Sequence, residues 1–266
     1  MRALNELPRT VAAGIHTVFS DIDDTLTTDG QLVPQAYVAL DTLRRAGLRV
    51  ILITGRPAGW CDHIARMWPV DAVIGENGAF YYWHDPVERK LQCRHLLDTM
   101  ARQTNTERLA AVRDTILREV PGCAVASDQF CRLYDLAIDF CEDVPALADA
   151  DVDRIVALME AAGMTAKVSS IHVNGWFGTH DKRSGAQWIV QRLLGRNVEA
   201  ERDRWVYVGD STNDQLMFAH YPLSVGVANL MRFAEQLTEW PAWITQAERG
   251  RGFAELSARL LAARRA

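Results

Sequence analysis

Apolar residues follow two rhythms along this chain. Uninterrupted short runs occupy 16–20 ("HTVFS"), 48–53 ("LRVILI"), 71–75 ("DAVIG"), 204–210 ("RWVYVGD") and 223–229 ("LSVGVAN"). Such runs, several of them rich in β-branched residues, read as strands buried on both faces. Between them the apolar positions return every three or four residues. "PQAYVALDTLRRAG" sets Tyr37, Leu40 and Leu43 three apart and closes on Gly47, as a helix with a C-terminal glycine does. Trp60, Ile64 and Met67 continue the helical spacing, and "SGAQWIVQRLLG" opens with Ser184 three residues before Gln187, a capping-box pattern. Strands alternating with helices predict an α/β fold, a Rossmann-like parallel sheet covered on both faces. Its ligands gather where the strands end.

The middle of the chain has another rhythm. Residues 106–119 and 149–162 are helical in spacing, and each is followed by two strand-like stretches: "CAVAS" and "RLYDLAIDF", then "MTAKVSS" and "IHVNGWF". Two αββ units in succession predict an antiparallel sheet with helices on one face. The expected division is a core domain of residues 1–82 and 179–266 with an α+β cap domain, 83–178, inserted into it.

Composition changes this picture little. The 48% hydrophobic and 24% charged content is that of an ordinary globular protein, and the net charge of −5 lacks the basic face that nucleic acid needs. No run approaches the roughly 18 apolar residues of a membrane span, and no apolar segment near the N-terminus is long enough for a signal peptide. The expectation is a cytoplasmic protein with no implied nucleic-acid, membrane or protein partner. Five cysteines without C-x-x-C spacing read as reduced and mostly buried.

The chemistry collects at the ends of the predicted parallel strands. Asp21, Asp23 and Asp24 crowd together after the first ("TVFSDIDDTLTTDG"), and Thr54 follows the second in "ITGR". Lys182 precedes the capped helix in "THDKRSG", and Asp210 and Asp214 follow the later strand in "VGDSTND". A strand-end aspartate alone reads as a turn or helix cap. Together these residues supply carboxylates for a hard divalent cation, with a hydroxyl and an ammonium for phosphate oxygens.

In this order and spacing, "DIDDT", "ITGR", "DK" and "GDSTND" resemble the four motifs of the haloacid dehalogenase superfamily of phosphatases. The insertion between the second and third motifs is similar to the Cof-like branch, subfamily IIB. The resemblance covers 16–82 and 179–262; the cap matches only in size and αββ pattern. It implies a magnesium-dependent phosphatase acting on a small phosphorylated metabolite such as a sugar phosphate. Asp21 is then the nucleophile and Asp23 the acid and base. Mg2+ is held by Asp21, Asp210 and the main-chain carbonyl of Asp23, with Asp214 bracing the shell. Phosphate oxygens fall to Thr54, Gly55, Lys182 and Asn213, helped by loop amides after Asp21.

Further residues have two readings each. Arg56 reaches a substrate anion or pairs with a cap carboxylate. Glu76 and Asn77 in "GENG" bind substrate or simply make a turn. Asn174 to Phe177 are candidates for approaching the cleft from the cap, and Trp60, Trp68 and Trp83 read as core, with stacking on a sugar ring as their other reading. Asp24 stands where many relatives have glycine, and Gly185 follows the lysine by three residues where relatives often have glycine at once. The competing functions are a phosphomutase of the same superfamily, a receiver-like signalling domain and a non-catalytic phospho-ligand-binding protein.

Overall fold

The computed structural model describes residues 1–169, 171–197 and 199–264. Its core strands in chain order are β1 (Thr17–Ser20), β2 (Arg49–Ile53), β3 (Ala72–Gly75), β4 (Phe80–Asp85) and β5 (Lys90–His95). The inserted module contributes β6 (Ala124–Val125), β7 (Asp135–Asp139), β8 (Thr165–Val168) and β9 (His172–Trp176). The chain then returns to the core with β10 (Trp205–Gly209) and β11 (Leu223–Gly226). The helices used below are α1 (Pro34–Arg45), α2 (Ala58–Met67), α3 (Thr99–Glu119), α4 (Asp149–Ala161), α5 (Lys182–Arg192), α6 (Gln215–His220) and α7 (Arg249–Arg264).

In the core sheet the order is β11-β10-β1-β2-β3-β4-β5, extended beyond β11 by the short strands Trp243–Ile244 and Arg2–Ala3. Strands β11 to β3 are parallel; β4 turns back, and β5, antiparallel to β4, resumes the direction of the core strands. The period-two alternation of strand side chains divides two cores. Val18, Val50, Leu52, Val206 and Val208 face α1, α2 and α7, whereas Phe19, Ile51, Ile53, Trp205 and Tyr207 face α5 and α6. From β1 the chain builds outward through β2 and β3 on one side and later through β10 and β11 on the other. Strand order therefore reverses at β1, and loops on its two sides diverge to open a crevice at its C-terminal end.

The hairpin β4–β5 corrects the expected boundary at residue 82. Residues 83–95, expected in the cap, are strand-paired to the core, because Phe80 and Tyr82 bury into the core beside Val73 and carry the sheet onward. Beyond the hairpin come α3-β6-β7 and α4-β8-β9. Their four strands form an antiparallel sheet in the order β8-β9-β7-β6. Leu136, Ile138 and Val173 turn one sheet face onto Ile116, Ile155 and Met159 of the helices. The opposite face, carrying Asp135, His172, Asn174 and Lys167, looks toward the crevice.

The helix after "THD" also starts earlier than its capping pattern predicts. Asp181 is the N-cap: its Oδ1 accepts the Ser184 amide at 2.7 Å, and Ser184 Oγ accepts the Asp181 amide at 2.9 Å. Asp181 offers a stronger acceptor than Ser184 and closes the box with it. Lys182 thus occupies the first turn. Gly185 lies one turn on, where a Cβ would stand 2.7 Å from Gly78 Cα. The displaced glycine of the third motif is what lets α5 touch the turn at 76–78.

Candidate active site

Asp21 follows directly on β1, with its amide donating to Val208 O at 3.0 Å. Lys182 Nζ donates to Asp21 Oδ1 at 2.7 Å, to Asp214 Oδ1 at 2.7 Å and to Asn213 Oδ1 at 3.1 Å, completing the three donors of an ammonium. Asp21 Oδ2 receives no protein donor among the described residues. Asp214 is saturated. Its Oδ1 accepts from Lys182 and from the Tyr207 hydroxyl in a short contact, and its Oδ2 accepts from the amides of Asp210 and Ser211 at 2.9 and 3.2 Å. Asp210 accepts from the Thr25 hydroxyl at 3.3 Å and from Asn229 Nδ2 at 3.2 Å.

Oxygens of Asp21, Asp210 and Asp214 lie within 4.8 Å of one another, all buried. Burial pushes the Asp21 carboxyl up to about 7, against the pull of the Lys182 ammonium and with help from the Asp214 and Asp23 charges. Burial, then Asp21 and Asp214, pushes Asp210 well up also. Burial pulls the Lys182 ammonium down, but its two carboxylate neighbours hold it well above its ordinary value. Crowded, desolvated carboxylates with an all-oxygen donor set fit a hard divalent cation, which relieves their repulsion. Among the three, Asp214 has its acceptor sites filled by four protein donors, so Asp21 and Asp210 are the carboxylates with room for it.

Asp23 points elsewhere. Arg56 Nε donates to its Oδ1 and Oδ2 at 3.1 and 3.0 Å, and Nη2 donates to Oδ1 at 3.0 Å. The same guanidinium lies 3.6 Å from Asp128 and 3.7 Å from Glu142 of the inserted module, and 4.3 Å from the centre of the Trp60 ring. Trp60 is 41% exposed, which corrects its reading as a core residue. Of the two readings of Arg56, pairing with cap carboxylates is the one present. Thr54 is fully buried and its Oγ1 accepts the Arg56 amide at 3.0 Å. Asp24 sits at φ +54° and pairs with Arg249 at 3.3 Å. That left-handed backbone suits glycine, and aspartate is among the few other residues that tolerate it.

Glu76 does not meet the cavity. Its carboxylate accepts the amides of Ala58, Leu133, Tyr134 and Asp135, the shortest at 2.6 Å from Tyr134. It ties the start of α2 to the entry of β7 and is not placed to bind substrate. Burial, followed by Asp135, pushes it up to about 8. Asn77, at φ +56°, does line the cavity.

One cavity collects Asp21, Asp23, Gly55, Arg56, Asn77, Asp210 and Asn213 from the core with Arg132, Lys167, Ser169, His172 and Asn174 from the cap. Asn174 Nδ2 donates to Asp135 Oδ2 at 2.9 Å. Gly175 faces the helices, where a Cβ would meet Met159, and Trp176, on the same sheet face as Asn174, is buried with its indole donating to His180 O. Arg132 is held by Asp128 and Asp135 and donates to Gly55 O at 3.1 Å. His172 lies 2.9 Å from Glu142, but burial lowers it to about 4, so the ring is neutral at pH 7.

Sequence reasoning missed Thr25, Tyr207, Asn229, Arg132 and Lys167. Tyr207 sits inside an apolar strand, where only tertiary structure reveals that its hydroxyl meets Asp214. For Lys167 a signal existed, since its period-two position on β8 shares a face with Asn174 of the neighbouring strand. Of the five thiols only Cys61 is buried, and Cys93 is exposed, which corrects the expectation of mostly buried cysteines. No helix among the described residues is long and apolar enough to cross a membrane.

Known proteins are similar to this chain in sequence or in fold. A family model described as haloacid dehalogenase-like hydrolase matches residues 18–104. A phosphoglycolate phosphatase of Pyrobaculum neutrophilum is 28% identical over 211 residues, covering 77% of this chain and 80% of that protein. A crystal structure from Thermoplasma acidophilum superposes with a TM-score of 0.70 at 15% identity, covering 93% of this chain and 98% of that one. The sucrose-phosphatase of Synechocystis, solved with sucrose and phosphate, superposes with a TM-score of 0.63 at 18% identity, covering 92% and 97%. The chain is thus similar to the haloacid dehalogenase-like hydrolases over residues 18–104, and its fold is that of the superposed structures. The likeness to that family model and to the phosphoglycolate phosphatase supports a phosphatase.

Proposed function

We propose that this phosphatase hydrolyses a small phosphorylated metabolite, a sugar phosphate or a similar polyol or acid phosphate, through an aspartyl-phosphate on Asp21 with Mg2+ as cofactor. The observation that carries the reading is the asymmetry of Asp21: one oxygen is fixed by Lys182, and the other receives no protein donor in a carboxylate that lines the cavity. A carboxylate so held is oriented for attack on phosphorus. Asp21 and Asp210, with the main-chain carbonyl of Asp23, would hold Mg2+, which when bound offsets charge on the phosphoryl group.

The attack forms the Asp21–phosphorus bond and breaks the ester bond, and Asp23 gives its proton to the leaving alkoxide. Asp23 then takes a proton from the water that attacks the acyl phosphate, freeing inorganic phosphate and the Asp21 carboxylate. Both Asp23 oxygens engage Arg56, so proton transfer requires the carboxyl to turn from the guanidinium toward the leaving oxygen. Asn213, the Gly55 loop and the Thr54 hydroxyl, whose proton remains available, hold the phosphoryl oxygens, and Lys182 joins them by turning one of its three engaged donors from a protein acceptor to the phosphoryl group. The cap over the cavity favours a small substrate and excludes water.

The test is phosphate release from a panel of phosphorylated metabolites, with magnesium and with chelator, for wild type and Asp21→Asn. Magnesium-dependent release lost in the variant supports the reading. Release that persists in Asp21→Asn overturns it.

A further inference from the structure

The cavity's cations are unequally engaged. Arg56 faces Asp23, Asp128 and Glu142, and Arg132 faces Asp128 and Asp135. Lys182, beneath the floor, is held by Asp21 and Asp214. His172 is neutral at pH 7. Lys167 alone among the described cavity-lining cations has no carboxylate partner. It is exposed on β8, in register with Asn174 of β9, so both side chains lie on the inward sheet face. Cα atoms of β8 come within 8 Å of the turn Thr212–Asp214, which carries Asn213. An ammonium on that strand is therefore beside the mouth of the phosphate site, on the wall that meets the rest of the substrate.

We propose that Lys167 is a specificity residue that binds a carboxylate on the leaving group, so that the preferred substrates are phosphate esters of hydroxy acids or sugar acids. The inference rests on the phosphatase reading and narrows it. The core wall already matches its cations with its own carboxylates, so it offers a second anion no uncommitted cation. A carboxylate at Lys167 supplies the missing partner, with Asn174 and Ser169 on the same wall as further polar groups. A neutral polyol would leave the ammonium hydrated and gain nothing from its charge.

The experiment compares kcat/KM for two small esters, 2-phosphoglycolate and the neutral-headed 2-hydroxyethyl phosphate, in wild type, Lys167→Met and Lys167→Arg. Wild type should prefer phosphoglycolate. Lys167→Met should lose about 30-fold on phosphoglycolate, the range of a charge-assisted hydrogen bond, and stay within about 3-fold on hydroxyethyl phosphate. Lys167→Arg should recover most of the loss. Equal losses on both esters would show that Lys167 serves the phosphoryl group, and a wild type indifferent to the carboxylate would show that it serves neither; either result overturns the proposal. Release from no ester by folded wild type, on this pair and on the wider panel, would instead break the phosphatase reading beneath it.

Discussion

The two walls of the cleft are built on opposite principles. On the core wall the reactive side chains hang from loops at the ends of adjacent parallel strands, and each cation has a carboxylate partner supplied by that wall: Lys182 with Asp21 and Asp214, Arg56 with Asp23. On the cap wall the side chains come from one face of an antiparallel sheet, and Lys167 stands without a carboxylate. In the proposed reaction the core wall holds a fixed charge pattern that a metal and a phosphoryl group would complete, and preorganised partners make that pattern rigid. The cap wall has to differ between substrates, and a strand face accepts new side chains without altering the sheet. Chemistry and selectivity are thus divided between two folds that meet over one cavity.

The largest break in this comparison should come from the core wall. Asp21→Asn removes the proposed nucleophile and should lower kcat by at least about 10^4-fold, judged by enzymes that lose theirs, with an unchanged far-ultraviolet circular dichroism spectrum. Glu76→Ala attacks the tie between the walls. It strands the amides of Leu133, Tyr134 and Asp135 and should cost about 3 kcal/mol of stability, read from the urea midpoint. Glu76→Gln, which still accepts hydrogen bonds, should cost less.

Arg56→Met should reveal whether the clamp on Asp23 serves proton transfer. A loss of about 10- to 100-fold in kcat/KM is expected for alkyl phosphates, the range of a mispositioned acid. A smaller loss is expected for p-nitrophenyl phosphate, whose leaving group needs no proton. Equal losses on both would place Arg56 on the phosphoryl group. Arg56→Lys should not restore full activity, since an ammonium cannot fork.

The smallest effect is a pH dependence of metal stabilisation. Asp21 and Glu76 are raised in the folded protein to about 7 and about 8 from ordinary values of 3.8 and 4.5. Their protonated forms favour folding at low pH, and that contribution fades as pH rises through those values, so the metal-free protein loses stability between about pH 4 and pH 8. Magnesium competes with the proton on Asp21. Its addition should therefore raise the melting temperature by more at pH 8 than at pH 5. Equal shifts at both would detach Asp21 from the metal.

Much of the core was legible because its signals are local. Runs such as "LRVILI" lie in the sheet, and both αββ units appear where the spacing placed them. Asp21, Asp210, Lys182 and Asn213 converge because each follows or precedes an element of one sheet edge. Glu76 misled, because in "GENG" nothing distinguishes a carboxylate that binds substrate from one that ties four amides. The hairpin at 80–95 was divided wrongly, because β4 and β5 continue the core sheet and no break in hydrophobicity marks where the core stops.

By itself the sequence determined the order of elements, the two-sided burial of the parallel strands and the set of carboxylates at their ends. These follow from residue periodicity and from the rule that a strand's end opens into a loop. Tertiary structure alone decided which oxygen of Asp21 is free, that Arg56 grips Asp23, and that Lys167 faces the cavity without a carboxylate. Each of those depends on contacts between residues distant along the chain, such as the 161 positions that separate Asp21 from Lys182. Distances of that kind exist only once the sheet has closed and the cap has folded over it.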